Sequence, residues 1–195
     1  MVKKITKSDV IEVFLSDYSK RVYLREIAFL LGKSHQSIKP YVESLTKEKI
    51  LNKYERRNLI EFGLNFKNKK IFDYLVIAEK EKLIRRLEYE VILKTLYEKL
   101  SDYFNSHLFV VFGSGVNKIK KESDIDLLVV GKGISKVIQQ FEEVYSKKIH
   151  VIQVSRLDKL SLRFVKEIYN KHLIFNDTEK VIRFFGGLYE KNKLV

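Results

Sequence analysis

The chain has 195 residues, 45% of them hydrophobic, with one proline, no cysteine and a net charge of +13. That length suits one large or two small domains with a real core, and the lack of cysteine excludes disulfides, thiol catalysis and thiolate metal sites. No run of eighteen apolar residues marks a membrane span, and M-V-K-K-I-T-K-S-D-V is no apolar leader, so the expectation is a cytoplasmic protein with no membrane partner.

Charge is +7 over residues 1–75, zero over 76–105 and +6 over 106–195. Two basic ends around a neutral middle favour a polyanion, either nucleic acid or nucleotide phosphates. For any single lysine, solubility explains as much. His35, His107, His150 and His172 show no zinc-ligand spacing.

In chain order, Ile11, Phe14, Leu15 and Tyr18 lie at i, i+3, i+4, i+7 and predict an amphipathic helix over about residues 7–18. Leu24, Ile27, Ala28 and Leu31 repeat the spacing, and Gly32 stands where a helix-ending glycine belongs. Ser34 can cap the next helix, with Ile38, Tyr41 or Val42, and Leu45 inward. Ile60, Phe62, Leu64 and Phe66 alternate as a half-buried strand. Ile50-Leu51 begin its partner, and Arg56-Arg57-Asn58 form the hairpin tip.

Helix, helix-turn-helix and basic-tipped hairpin resemble a winged helix-turn-helix over residues 1–68. L-R-E-I-A-F-L-L-G-K-S-H-Q-S-I-K-P-Y-V-E-S-L is similar to the central helices of archaeal and bacterial regulators of that family. The resemblance implies binding of double-stranded DNA and transcription regulation, with the second helix in the major groove. By position it makes His35, Gln36, Ser37 and Lys39 base or phosphate contacts, and Arg56 and Arg57 wing contacts. Pro40 departs from the pattern. Either the helix begins after Ser34 and loses a hydrogen bond at Pro40, or it begins at Ser37 with Pro40 in its first turn. A winged helix used for protein contact or dimerisation is the alternative.

Between Gly63 and Gly113 there is neither glycine nor proline. Residues 69–104 read as a helical connector, one long helix or two with a short break. Leu83, Leu87 and Val91, then Ile92, Leu96, Leu100 and Tyr103, are in helical register. Its stripe suits docking on either domain or on a second copy as a homodimer.

Residues 105–195 form the third segment, and F-V-V-F-G-S-G-V-N-K-I-K-K-E-S-D-I-D-L-L-V-V (109–130) carries the most chemistry. An apolar strand ends at Gly113-Ser114. After a lysine-rich loop, Asp124-Ile125-Asp126 opens a second strand that continues apolar on both faces, as buried strands do. Two aspartates two apart on a strand share a face. Carboxylates at the mouth of a buried strand need a partner, and a divalent cation completed by substrate phosphates is the simplest. A helix around Ile134–Tyr145, a strand at Ile149–Val154, a helix over about 158–171, a strand at Leu173-Ile174-Phe175 and a helix from Asp177 follow. The whole is expected to be α/β, more closely α+β, with a mixed sheet and flanking helices in the C-terminal part.

Phe112-Gly113-Ser114, nine residues, then Asp124-Ile125-Asp126-Leu127 resembles the signature of the DNA polymerase β-like nucleotidyltransferase superfamily, most closely its minimal, stand-alone members. Gly115-Val116-Asn117-Lys118 replaces their usual loop. The resemblance implies transfer of a nucleoside monophosphate from a nucleoside triphosphate to a hydroxyl. Asp124 and Asp126 would hold Mg²⁺ (or Mn²⁺), and Gly113, Ser114, Gly115 and Lys118 would hold the phosphates, with Lys120 and Lys121 assisting. Active members add a third carboxylate on the next long strand. His150 stands at that position here, as base, neutral ligand or the mark of a domain that binds without turnover. A nucleotide-sensing DNA-binding regulator and the antitoxin partner of a toxin-like protein are the alternative functions.

Overall fold

The computed structural model describes residues 4–56, 59–119 and 123–194. The fold is mixed α+β, with eight α-helices and two sheets among the described residues. The chain divides into two compact units, Met1–Glu79 with Phe185–Val195, and Lys80–Phe184. The helical segment read as a connector is thus shared between the two units, and the last eleven residues belong with the N-terminal one.

In the first unit, α1 (Lys7–Glu12) starts at a reciprocal cap. The Thr6 hydroxyl accepts from the Asp9 N–H at 3.3 Å, and the Asp9 carboxylate accepts from the Thr6 N–H at 2.8 Å. The helix stops at Glu12 rather than near residue 18. Three-residue turns carry the chain on, with Phe14 N–H donating to Ile11 O and Asp17 N–H to Phe14 O. A three-residue turn keeps i and i+3 on one side, so Ile11, Phe14, Leu15 and Tyr18 are all buried as the sequence predicts.

Next come β1 (Val22–Tyr23), α2 (Leu24–Leu30), α3 (His35–Lys47), β2 (Leu51–Arg56) and β3 (Leu59–Leu64), with an antiparallel sheet ordered β1-β3-β2. Gly32 closes α2 at φ +60°. β1 is too short to carry a period, and the sequence reading has no counterpart for it. The expected β3 alternation holds only at its base, where Leu64 is buried. Ile60 is 41% exposed, and Glu61 is buried between Tyr54 and Tyr23 on the flanking strands. β3 is the central strand, and at Glu61 the flanking residues Tyr54 and Tyr23 enclose the side chain, whereas Leu59 and Ile60 at the hairpin end stay exposed. Tyr18, Phe66, Phe72 and Tyr189 make an aromatic cluster in this unit, with ring centroids 4.6–6.0 Å apart.

α4 (Ile71–Tyr89) and α5 (Val91–Ser101) meet at Glu90, whose φ −120° and ψ 92° are extended. Of the two forms expected for the connector, the structure takes the pair with a break. The break re-phases the stripe, so Leu93, Leu96 and Leu100 are buried while Val91 is 74% exposed.

The second unit is built on β4 (Leu108–Phe112), β5 (Ile125–Val130), β6 (Ile149–Val154) and β7 (His172–Ile174), ordered β6-β5-β4-β7. β5 and β6 are parallel and the other pairs antiparallel. α6 (Ser135–Tyr145), α7 (Leu162–Asn170) and α8 (Thr178–Glu190) complete the chain. A single apolar cluster joins Leu83, α5 and α6 to one sheet face through Phe109, Val111, Ile125, Leu127 and Val129. Leu128 and Val130 on the other face are also buried, so β5 is covered on both sides and only its first residues reach solvent. No described helix is long and apolar enough to cross a membrane.

Candidate functional site

The site forms where β4 ends and β5 begins. Cross-strand pairing sets Phe112 opposite Asp126, so the chain leaves the sheet at Gly113 beside that carboxylate. Parallel pairing sets His150 opposite Asp126 on the other side. The His150 Nδ1 stands 3.3 Å from Asp126 Oδ1, with the imidazole largely exposed and the carboxylate 29% exposed.

Gly113 has φ +68°, a left-handed backbone, and a Cβ built there would stand 2.7 Å from Asp126 Oδ2. Both facts favour glycine. Its N–H donates to Lys171 O at 3.2 Å, fixing the turn to the end of α7. Gly113–Val116 is a single 3-10 turn. Ser114 on it and Lys118 just past it are exposed, whereas Gly115 and Val116 are buried. The Cα of Gly115 faces Val111 and Ile119, which leaves Gly115 only its backbone to offer a ligand. Asp124 is exposed, Ile125 is fully buried and Asp126 is intermediate, the alternation expected of two carboxylates on one face. Lys120 and Lys121 lie outside the described residues.

Sequence reasoning missed the supports of this loop. Arg86, on the last turn of α4, donates from Nε to Val116 O at 2.8 Å. Its guanidinium is 3.8 Å from the Glu90 carboxylate, which also accepts from the Ile119 N–H at 3.4 Å. Both side chains sit in a segment that reads as a solvated helix face, about thirty residues before the loop, so no local pattern points to them. Asn176 was also missed. Buried beside β4, it accepts from Phe109 N–H at 2.9 Å and donates to His107 O at 2.7 Å and Phe104 O at 3.1 Å.

Asp126, His150 and Asp124 are the donors present, and no described group of three or more His, Cys, Asp and Glu side chains is arranged to hold a metal. The Asp126 carboxylate beside Gly113 and the exposed Asp124 are the groups that could hold a cation of the Mg²⁺ or Mn²⁺ kind. Such ions take one or two carboxylates and complete their shell with water and substrate phosphates. The same donors do not make a closed structural cage. Two described clefts, of about 510 and 440 Å³, are at the other end of the strands, around Val130, Ser155, Arg156, Lys180 and Arg183. Their basic side chains are paired with Asp158, Glu179 and Asp177, and the acidic site does not open into them.

In the first unit, Ser34 caps α3, accepting from the Ser37 N–H at 3.3 Å. The helix therefore begins at His35, the first of the two starts left open, and Pro40 is internal to it. His35, Gln36, Ser37 and Lys39 are exposed on one side, and Ile38, Val42 and Leu45 are buried on the other. The Ser37 hydroxyl donates to Ser34 O at 2.8 Å and so takes part in its own cap. Lys39 pairs loosely with Glu43 at 3.7 Å. Arg57 and the side chain of Arg56 lie outside the described residues.

No family model and no curated protein matches this chain. Among solved structures, a chain from a mutant of the toxin-antitoxin pair MntA-HpeT is 12% identical, covering 51% of this chain and 88% of its own, with a TM-score of 0.38. A chain from the complex of tri-AMPylated Shewanella oneidensis HEPN toxin with MNT antitoxin is 14% identical, covering 53% of this chain and 88% of its own, with a TM-score of 0.38.

Proposed function

We propose that the second unit is a nucleotidyltransferase-like domain that binds a nucleoside triphosphate with Mg²⁺ or Mn²⁺ and transfers its nucleoside monophosphate to a hydroxyl. The first unit, in the same proposal, is a winged helix-turn-helix that binds double-stranded DNA. The observation that carries the reading is the close approach of Gly113 to Asp126, itself paired by register with His150. It brings an apolar strand end, a glycine turn, a carboxylate and an imidazole together where β5 begins.

The chemistry is positioning and charge neutralisation. The attacking hydroxyl oxygen bonds to the α-phosphorus, the bond from that phosphorus to the bridging oxygen breaks, and pyrophosphate leaves with the electron pair. A divalent cation held by Asp124 and Asp126 would offset the charge on the phosphates. The Gly113-Ser114 backbone, the exposed Ser114 hydroxyl and the exposed Lys118 ammonium would orient them. His150 is the described residue beside Asp126 able to take the hydroxyl proton, at the ring nitrogen not facing Asp126.

His150 also supports a second reading, a nucleotide-sensing regulator without turnover. An imidazole supplies a donor atom without the negative charge of a third carboxylate, and it suits Mn²⁺ better than Mg²⁺. A toxin-like protein is one acceptor or partner to be tried. Pyrophosphate release from ATP, GTP, CTP and UTP, compared in the two metals for the parent and His150→Asp, decides between the readings. Transfer predicts higher turnover with Mn²⁺ in the parent and a gain with Mg²⁺ in His150→Asp. Binding without release in every combination supports the sensor.

A further inference from the structure

We propose that Arg86 and Glu90 are positioning residues for the nucleotide-binding loop, acting on substrate only through the backbone they hold. This rests on the reading of Gly113–Ile119 as that loop. The loop is held at three points. Gly113 N–H is tied to Lys171 O, Val116 O accepts from Arg86 Nε, and Ile119 N–H donates to Glu90. The last two belong to one unit, because the Arg86 guanidinium is also ion-paired with Glu90.

The backbone explains why Glu90 can do this. An uninterrupted helix from residue 71 to 101 would carry Glu90 in helical register with its neighbours. The extended dihedrals at Glu90 end α4 instead and start α5. Residue 90 thus sits at a corner where one carboxylate meets both a guanidinium one helical turn earlier and a loop amide 29 residues on. Both side chains are about one-fifth exposed, so solvent screens this pair less than the outer pairs of the same helices. With Val116 and Ile119 held from the protein side, Ser114 and Lys118 are left on the solvent side. The geometry suits an arginine at 86. One guanidinium donates to the carbonyl from Nε and faces the carboxylate with its outer nitrogen at 3.8 Å, and a single ammonium cannot reach both in this way.

The test uses the full chain in five variants, Arg86→Gln, Arg86→Lys, Glu90→Gln, the double Arg86→Gln with Glu90→Gln, and Glu81→Gln, with two readouts. One is binding of the Mg²⁺-nucleoside triphosphate by calorimetry, with ATP, GTP, CTP and UTP in turn. The other is amide hydrogen exchange over Ser114–Ile119 without nucleotide. The Arg86→Gln and Glu90→Gln variants should bind about tenfold more weakly and exchange loop amides about tenfold faster, the cost of one hydrogen bond to a charged group. The double variant should add little to either. Arg86→Lys should recover part of the loss, and Glu81→Gln, which neutralises the half-buried partner of Arg85 on the same helix away from the loop, should match the parent. Should Arg86→Gln fail to fold, the isosteric Glu90→Gln carries the test alone. Parent-like affinity in Arg86→Gln and Glu90→Gln, with or without faster exchange, overturns the proposal. If the loop loosens but the parent itself binds no triphosphate, the reading of the site has failed and this proposal falls with it. The exchange data would show that the anchoring is real.

Discussion

Gly113→Ala separates the chemistry of the site from the stability of the fold. Gly113 sits at φ +68°, where an L side chain costs about 1–2 kcal/mol. At roughly 2–4 °C of melting temperature per kcal/mol in a chain of this size, that is a fall of about 2–8 °C in the unfolding transition of the chain. Gly133→Ala bears the same kind of cost at φ +84°, with nothing within 4 Å of the added methyl group. The two variants should therefore melt alike. They should differ at the site, because only the Gly113 methyl, 2.7 Å from Asp126 Oδ2, forces that carboxylate to move. Displacing a side chain that holds a metal by about 1 Å costs on the order of 10–100-fold. Calorimetry with Mg²⁺-nucleotide should give that loss for Gly113→Ala and parent affinity for Gly133→Ala. Equal affinities in the two variants would refute the placement of the cation against Gly113.

Two further outcomes concern the first unit. Glu48, at the end of α3, accepts from Lys7, from the Tyr74 hydroxyl at 2.7 Å and from Ser44 at 2.8 Å, and these bonds, led by Lys7, hold its carboxyl at about 2 against the ordinary 4.5. The same bond lifts the Tyr74 phenol to about 12 from 10. A depressed carboxyl stabilises above its unfolded value and loses that contribution as pH falls from about 4.5 to 2, and a raised phenol loses its share as pH rises from about 10 to 12. Glu48 is partly exposed, so Glu48→Gln should cost only about 0.5–1 kcal/mol in urea unfolding at pH 7. The difference from the parent should shrink as pH falls from about 4.5 toward 2, and one that keeps its full pH 7 size at pH 2 contradicts the assignment. If α3 and the hairpin neutralise about five phosphates of duplex DNA, log K should fall against log salt with a slope near −4 to −5, reduced by up to about two in Arg56→Ala with Arg57→Ala. A parent slope near zero removes the DNA-binding reading.

What could be read from the sequence was whatever is encoded locally. The Asp124-Ile125-Asp126 strand, its apolar continuation and the glycine turn before it announce themselves by alternation and spacing, and β6 runs over Ile149–Val154 as expected. Ser34 is visible as a cap by residue type and Gly32 as a stop by position. Features fixed by tertiary contact were not legible. The burial of Glu61 comes from its place in the middle of three strands, and β1 exists only through its pairing with β3. Even the helix break depends on context, since Glu90 carries no breaker signal and is held at its corner by Arg86 and a distant loop. The site itself divides the same way. Its acids were named from spacing, whereas the scaffold that holds the loop against them came only from the fold.

The most direct test of the central claim is calorimetric titration of Mg²⁺- and Mn²⁺-nucleoside triphosphates into the parent, Asp124→Asn and Asp126→Asn. The parent should bind at least one of ATP, GTP, CTP and UTP in a metal-dependent way. Each asparagine variant should bind at least about tenfold more weakly, since one lost charge on the cation is worth more than 1.4 kcal/mol in a partly buried site. Melting of the fold should stay close to that of the parent, because Ile125, Leu127 and Val129 keep their burial. Parent-like binding in both variants, or no binding by the parent in either metal, contradicts the account.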